Sequence, residues 1–125
     1  MNGLPKDTDF STLLGREVTM VRIGKFQLHY FLNQDKPNRP DAWIEIESDE
    51  VIFTDAEGNS ARIADFRTGA GSLCLLLGLT VEDASRREDG GLKLKMSSGI
   101  QLEVGVHTPI YESVVLHIGD KAIVG

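Results

Sequence analysis

GLKLKMSSGIQLEV, residues 91–104, is the stretch of the sequence that decides the fold. Apolar residues occupy every second position on both sides of the Ser-Ser-Gly triplet, and polar residues fill the positions between them. Strict alternation is typical of a strand with one buried face, and a three-residue loop that ends in glycine suits a tight hairpin. The stretch therefore predicts a β-hairpin with Leu94 opposite Leu102 and Met96 opposite Ile100.

The same alternation recurs along most of the chain and predicts further strands. The other predicted strands cover residues 17–23, 26–32, 42–47, 51–54, 60–63, 79–87, 113–118 and 121–124. Turn residues separate several of them, and a turn at residues 24–25 predicts Ile23 opposite Phe26. A turn at residues 119–120 predicts Leu116 opposite Ile123. The 42–47 strand directs Ile44 and Ile46 to one face.

One short helix is expected before the second group of strands. Ser72 is a good N-cap, residues 73–77 fill about one and a half turns, and Gly78 is a natural stop. Cys74 lies among leucines, so it is expected to be a buried small hydrophobic residue. A single cysteine also favours a reducing compartment.

The two halves of the sequence resemble each other. Asp-Phe-x-Thr at residues 9–12 and 65–68 is followed in each half by Leu-Leu-Gly, at residues 13–15 and 76–78. A strand, a hairpin, an alternating strand and a closing hairpin then follow in the same order. We therefore expect one domain, residues 1–125, built from pseudo-repeats at 9–64 and 65–125. The expected fold is mainly β, with one or two short helices and two pseudo-symmetric halves that form a single sandwich or partly open barrel.

Composition and charge limit the classes of function. The chain has 125 residues, a formal net charge of −6 and 41% hydrophobic residues. An acidic chain of this size is a poor match for nucleic acid or an anionic membrane, because both require clustered Lys and Arg. The N-terminal residues lack the pattern of a secretory signal, and the longest apolar run, 73–77, is too short to span a bilayer. We expect a cytoplasmic protein that contacts neither nucleic acid nor membrane.

Signatures of catalysis are absent from the sequence. The glycine-containing segment 67–72 matches neither a phosphate-binding loop nor a dinucleotide-binding motif. His29, His107 and His117 do not have the spacing of metal ligands, and His29 is expected to be solvated on the outer face of its strand. Nothing in the sequence selects one pair of carboxylates as catalytic. We therefore expect a protein that is not an enzyme and holds no cofactor or metal, with no catalytic residues.

An acidic segment around the single tryptophan is the one feature that predicts a binding surface. Seven acidic residues and no Lys or Arg lie between residues 41 and 61. An aromatic anchor beside carboxylates suits a basic protein partner. The candidate partner-binding residues are Trp43, Glu45, Glu47, Asp49 and Glu50. The alternative is an ordinary solvated sheet face, with Trp43 partly covered by the 33–41 loop.

The Leu-Leu-Gly-x-x-Val segments, the 91–104 hairpin and Tyr111-Glu112-Ser113 resemble a family of small bacterial β-rich proteins of unknown function. This resemblance covers residues 10–124 and supplies no catalytic residues; Val114 stands where the family usually has an aromatic residue. By analogy of size and acidity alone, the chain is similar to immunity proteins that neutralise bacterial toxins. The first hypothesis is therefore a protein-binding module. The alternatives are a small-ligand-binding domain or enzyme with a deep pocket, and a structural protein that forms a homodimer through the 121–124 edge.

Overall fold

The computed structural model describes residues 3–33, 39–106 and 113–125, and these residues form a mainly β structure. The strands are β1 (Val18–Ile23), β2 (Leu28–Leu32), β3 (Ala42–Ile46), β4 (Val51–Thr54), β5 (Ser60–Ile63), β6 (Val81–Arg86), β7 (Leu92–Met96), β8 (Gln101–Val104), β9 (Val114–Ile118) and β10 (Lys121–Val124). A short α-helix, α1, spans Ala70–Leu73, and 3-10 helices span Ser11–Leu13 and Cys74–Leu76. No helix in this part of the chain has the length and apolar character needed to cross a membrane.

The strands form two five-stranded antiparallel sheets that pack against each other. The first sheet has the order β1-β2-β3-β9-β10, and the second sheet has the order β5-β4-β8-β7-β6. Strand β10 lies at an edge of the first sheet, as predicted. The fold is thus a sandwich, which confirms the first of the two predicted architectures.

Alternating side chains from both sheets fill one core. Each of β2, β3 and β7 alternates buried residues with more exposed ones. Leu94 lies opposite Leu102, and Leu116 lies opposite Ile123, as the sequence pattern predicts. Each apolar side chain removed from water in this way contributes about 1.5–3 kcal/mol before the entropy of ordering is subtracted.

A buried tyrosine fastens the helical segment to the core. Tyr30 is fully buried, and its hydroxyl donates a hydrogen bond of 2.8 Å to the carbonyl oxygen of Leu73. Burial raises the pKa of Tyr30 well above its usual range, because the phenolate would have to form away from water. The hydroxyl therefore stays protonated in the folded protein.

The strand order is unchanged when the two halves of the chain are exchanged. If each of β1–β5 is exchanged with the strand five places later, the order of the first sheet, β1-β2-β3-β9-β10, becomes β6-β7-β8-β4-β5. This is the order of the second sheet read from its β6 edge. The backbone contact between the halves is reciprocal: Gly15 N–H donates to Val81 at 2.9 Å, and Gly78 N–H donates to Val18 at 2.8 Å. Each sheet takes three strands from one half and two from the other. The internal duplication itself stays a prediction.

The first hairpin turns one residue later than the sequence pattern predicts. Ile23 lies opposite Leu28, not opposite Phe26. The Gly24 N–H donates to the carbonyl oxygen of Gln27 at 2.8 Å, which places Phe26 at the tip of the turn. The observed register aligns the buried Leu28 with Ile23, which packs against the core and is partly buried. Because the pairing moves by two residues, Val21 and Leu28 keep their predicted face. A β-bulge between Val18 and Met20 breaks the alternation further along β1, so Val18 is buried and Thr19 is exposed.

The helical segment also differs from its prediction. The Leu73 N–H donates to the carbonyl oxygen of Gly69, so the helix begins before Ser72, which lies inside α1 and is not its N-cap. Cys74 is exposed and not buried, because Leu73 and Leu76, three residues apart on one side of the helical segment, take the inward positions. The prediction of a buried thiol was therefore wrong.

Candidate interaction surface

Strand β3 lies at the centre of the first sheet and presents the candidate tryptophan on its outer face. Ile44 and Ile46 are buried in the core, whereas Trp43 and Glu45 alternate with them and are only partly buried. This is the division of side chains that the alternating sequence predicts. Trp43 therefore lies in the middle of a five-stranded surface, the outer face of the first sheet.

Three rings stack across neighbouring strands on this outer face. Phe31 on β2 stacks on Trp43 with ring centres 5.4 Å apart and planes inclined by 16°. His117 on β9 stacks on the other side of Trp43 at 3.6 Å and 3°. We call Phe31, Trp43 and His117 the aromatic row. Because neighbouring strands hold the rings directly opposite one another, the sheet register sets the geometry of the row.

Two further side chains pack against the aromatic row. The His29 ring lies 5.2 Å from Trp43 and 6.2 Å from Phe31, and the Arg22 guanidinium lies 5.9 Å above the Phe31 ring. His29 Nε2 is buried and has no hydrogen-bond partner among the described residues. His29 lies on the outer face of its strand, as predicted, but it is partly buried and not fully solvated, because it packs against Phe31 of the same strand and Trp43 of the next.

Glu45 and His117 form a polar pair beside Trp43. His117 Nε2 lies 3.2 Å from Glu45 Oε1, and the two side chains are 23% and 24% exposed. A carboxylate can only accept, so the imidazole is the donor. The contact holds the imidazole ring parallel to Trp43 and places a carboxylate next to the aromatic row.

The remaining acidic candidates lie in two different places. Glu47 follows Glu45 on the same face, and its Oε1 accepts a hydrogen bond of 2.7 Å from Gln27. Asp49 is exposed and Glu50 is partly buried in the connection that leaves the first sheet for β4 of the second. The Glu50 carboxylate packs against Gly105, where a side chain would collide with it. The structure thus gathers Trp43, Glu45 and Glu47, and places Asp49 and Glu50 beyond that face.

The outer face of the second sheet provides an internal comparison. The pairing registers show which residue of the second sheet occupies the same place as a given residue of the first sheet. In the first sheet the row through the tryptophan is Met20, Phe31, Trp43, His117 and Ala122. In the second sheet the corresponding row is Asp83, Lys95, Gln101, Thr54 and Ser60. The row through Trp43 is therefore mostly aromatic and apolar, and the corresponding row of the second sheet is polar throughout.

Sequence reasoning missed Phe31 and His117. The pairing of β2 with β3 places Phe31 beside Trp43, and the polar alternation of 42–47 gave no indication of this contact. The pairing of β3 with β9 brings His117 from more than seventy residues away. An apolar residue at an outward position of β2 was the only local signal, since a solvated strand face normally carries polar residues there.

Within the described residues, no group of three or more His, Cys, Asp or Glu side chains is arranged to hold a metal ion. Comparison with known proteins returned no matching family model, no matching curated protein and no matching solved structure.

Proposed function

We propose that this chain is a non-enzymatic protein-binding module and that its binding surface is the outer face of the first sheet. The observation that carries the proposal is the difference between the two outer faces, which share one strand arrangement. A sheet face exposed only to water is normally polar, as the corresponding row of the second sheet is. Aromatic side chains, Trp above all, are the residues that dominate the binding energy of protein interfaces.

The charges of this surface favour a basic partner. Glu45 and Glu47 lie on one side of the aromatic row, and the chain as a whole carries a formal net charge of −6. Carboxylates around an apolar centre steer a positively charged partner and reject an acidic one. In its most specific form, the proposal is an immunity protein that covers the functional surface of a basic toxin.

The internal comparison also supplies the experiment. Trp43→Gln and Phe31→Lys each place on the first sheet the residue found at the corresponding position of the second sheet, so both variants are compatible with the strand geometry. Gln101→Ala is the matched control, since it truncates the topological equivalent of Trp43. Folding of each variant is checked by circular dichroism and thermal unfolding before binding is measured.

The partner is captured from lysate of the source cells, identified, purified and titrated by calorimetry. We expect Trp43→Gln and Phe31→Lys each to weaken binding by about 30-fold, which corresponds to about 2 kcal/mol for a central aromatic contact. We expect Gln101→Ala to stay within about twofold of the wild type, since truncating a partly exposed side chain away from the interface costs little. Equal affinity of all four proteins for the captured partner would refute the proposed binding face.

A further inference from the structure

A groove of about 290 Å³ opens at the end of the sandwich, next to the outer face of the first sheet. The turn between β1 and β2, the connection from β3 to β4 and the segment after β5 form its walls. Phe66 contributes a buried apolar wall, and Phe26, at the tip of the turn, stands at the rim with 73% of its surface exposed. We call this feature the end groove.

Carboxylates lie beside these rings. Glu47 and Asp49 both line the end groove. Gln27 donates to one oxygen of the Glu47 carboxylate at 2.7 Å and thereby fixes its orientation, while a carboxylate has a second oxygen that can accept. An apolar wall with carboxylates beside it matches a side chain that has a long aliphatic stem and a cationic end, which is the shape of Lys and Arg.

The chain itself places a cation at this position. The Lys25 Nζ lies 5.2 Å from the centre of the Phe26 ring, and Lys25 also lines the end groove. An ammonium group over an aromatic ring is stabilised by the negative face of the ring. Lys25 therefore makes, within the free protein, the contact that an incoming cationic side chain would make.

We infer that the end groove receives a Lys or Arg side chain of the basic partner, which takes the place of Lys25 over Phe26. This inference rests on the proposed function and specifies how the partner is anchored. Glu47 connects the two surfaces, because it follows Glu45 on the outer face and also lines the end groove. A partner that lies across the aromatic row can thus reach the groove with a single side chain.

The test needs no knowledge of the partner. The full chain, labelled with ¹⁵N, is titrated with the peptide acetyl-Ala-Arg-Ala-amide and followed by NMR. We expect saturable shifts of the Phe26, Ser48 and Ala64 amides, with a dissociation constant on the order of 10 mM. The matched control peptide carries norleucine in place of Arg and keeps the stem without the charge; it should shift these amides little.

Variants of the groove sharpen the test. Phe26→Ala and Glu47→Gln should each weaken the Arg peptide about threefold, because each removes one cationic contact of roughly 0.7 kcal/mol. Lys25→Ala should tighten binding about twofold, because it removes the competing cation. Lys25, Phe26 and Glu47 line the end groove and lie outside the buried core, so we expect the variants to fold.

Three results would each overturn the inference. The two peptides could cause equal shifts, the shifts could spread evenly over exposed acids such as Glu82 on the second sheet, or Phe26→Ala could leave the affinity unchanged. The two proposals fail separately. If the peptide does not bind the groove but Trp43→Gln loses the partner, only the groove assignment is wrong. If the peptide binds but Trp43→Gln keeps the partner, the aromatic row is not the binding face.

Discussion

Replacing Tyr30 by Phe tests how the helical segment is fastened to the core. Tyr30 has no exposed surface, and its hydroxyl makes the 2.8 Å hydrogen bond to Leu73. Phe fits the same space but cannot donate. We expect Tyr30→Phe to lower the free energy of unfolding at pH 7 by about 1.5 kcal/mol, the typical cost of losing one buried hydrogen bond.

The difference between the two proteins should depend on pH. Burial raises the pKa of Tyr30 in the folded protein, whereas in the unfolded chain a tyrosine titrates near pH ~10. A raised pKa gives stability that is complete below the unfolded value and is lost as the pH rises above it. Above pH ~10, the wild type should therefore lose about 1.4 kcal/mol per pH unit more than Tyr30→Phe does.

Urea unfolding at pH 8 and at a pH near 11 measures this difference. We expect the advantage of the wild type over Tyr30→Phe to shrink from about 1.5 kcal/mol to near zero over that interval. Ile44→Val is the control: Ile44 pairs with Tyr30 across the strands, and the variant should lose about 1 kcal/mol at both pH values. A constant difference between wild type and Tyr30→Phe would refute the buried, protonated hydroxyl.

Further variants test packing at single positions. Gly91→Ala should unfold the protein or lower the free energy of unfolding in urea by more than about 3 kcal/mol, because the new Cβ would lie against the Val104 carbonyl oxygen. Gly71 faces open space within α1, so Gly71→Ala should raise the free energy of unfolding by about 0.5–1 kcal/mol. A milder cost at Gly91 would contradict the close strand approach. Cys74 should react fully with Ellman's reagent in the folded protein, because its side chain is exposed, and protection until unfolding would contradict that exposure. His29→Leu should raise the urea midpoint, because burying the Nε2 atom without a hydrogen-bond partner among the described residues costs about 1 kcal/mol of stability. A lower midpoint would indicate that this nitrogen has a hydrogen-bond partner.

The hairpins could be predicted from the sequence because both strands of a hairpin are neighbours in the chain. Alternation identifies the buried face, and a short turn fixes which residues pair. The pairs Leu94–Leu102 and Leu116–Ile123 follow from these two signals alone. The pairing of the first hairpin differs from the prediction by two residues because the turn contains residues 24–27 and not only the two residues that Gly24 suggested.

The candidate surface was harder to predict because it depends on pairs that are distant in sequence. Trp43 meets His117 only because β3 pairs with β9, and no local pattern specifies that choice among strands of similar length. Glu50 was grouped with Glu47 because the two are close in sequence. The chain passes from the first sheet to the second between these two residues, and the run of acidic residues does not indicate where it does so.

The exchange of strands between the two halves has a consequence for how the chain is synthesised. Strand β3, in the middle of the first sheet, needs β9 from the far half before its hydrogen bonds are complete. A nascent chain that has emerged only as far as β5 therefore presents β3, which carries Trp43, as an open edge. Open apolar edges recruit other strands, so we expect the nascent chain to be most prone to aggregation in the interval before β9 emerges.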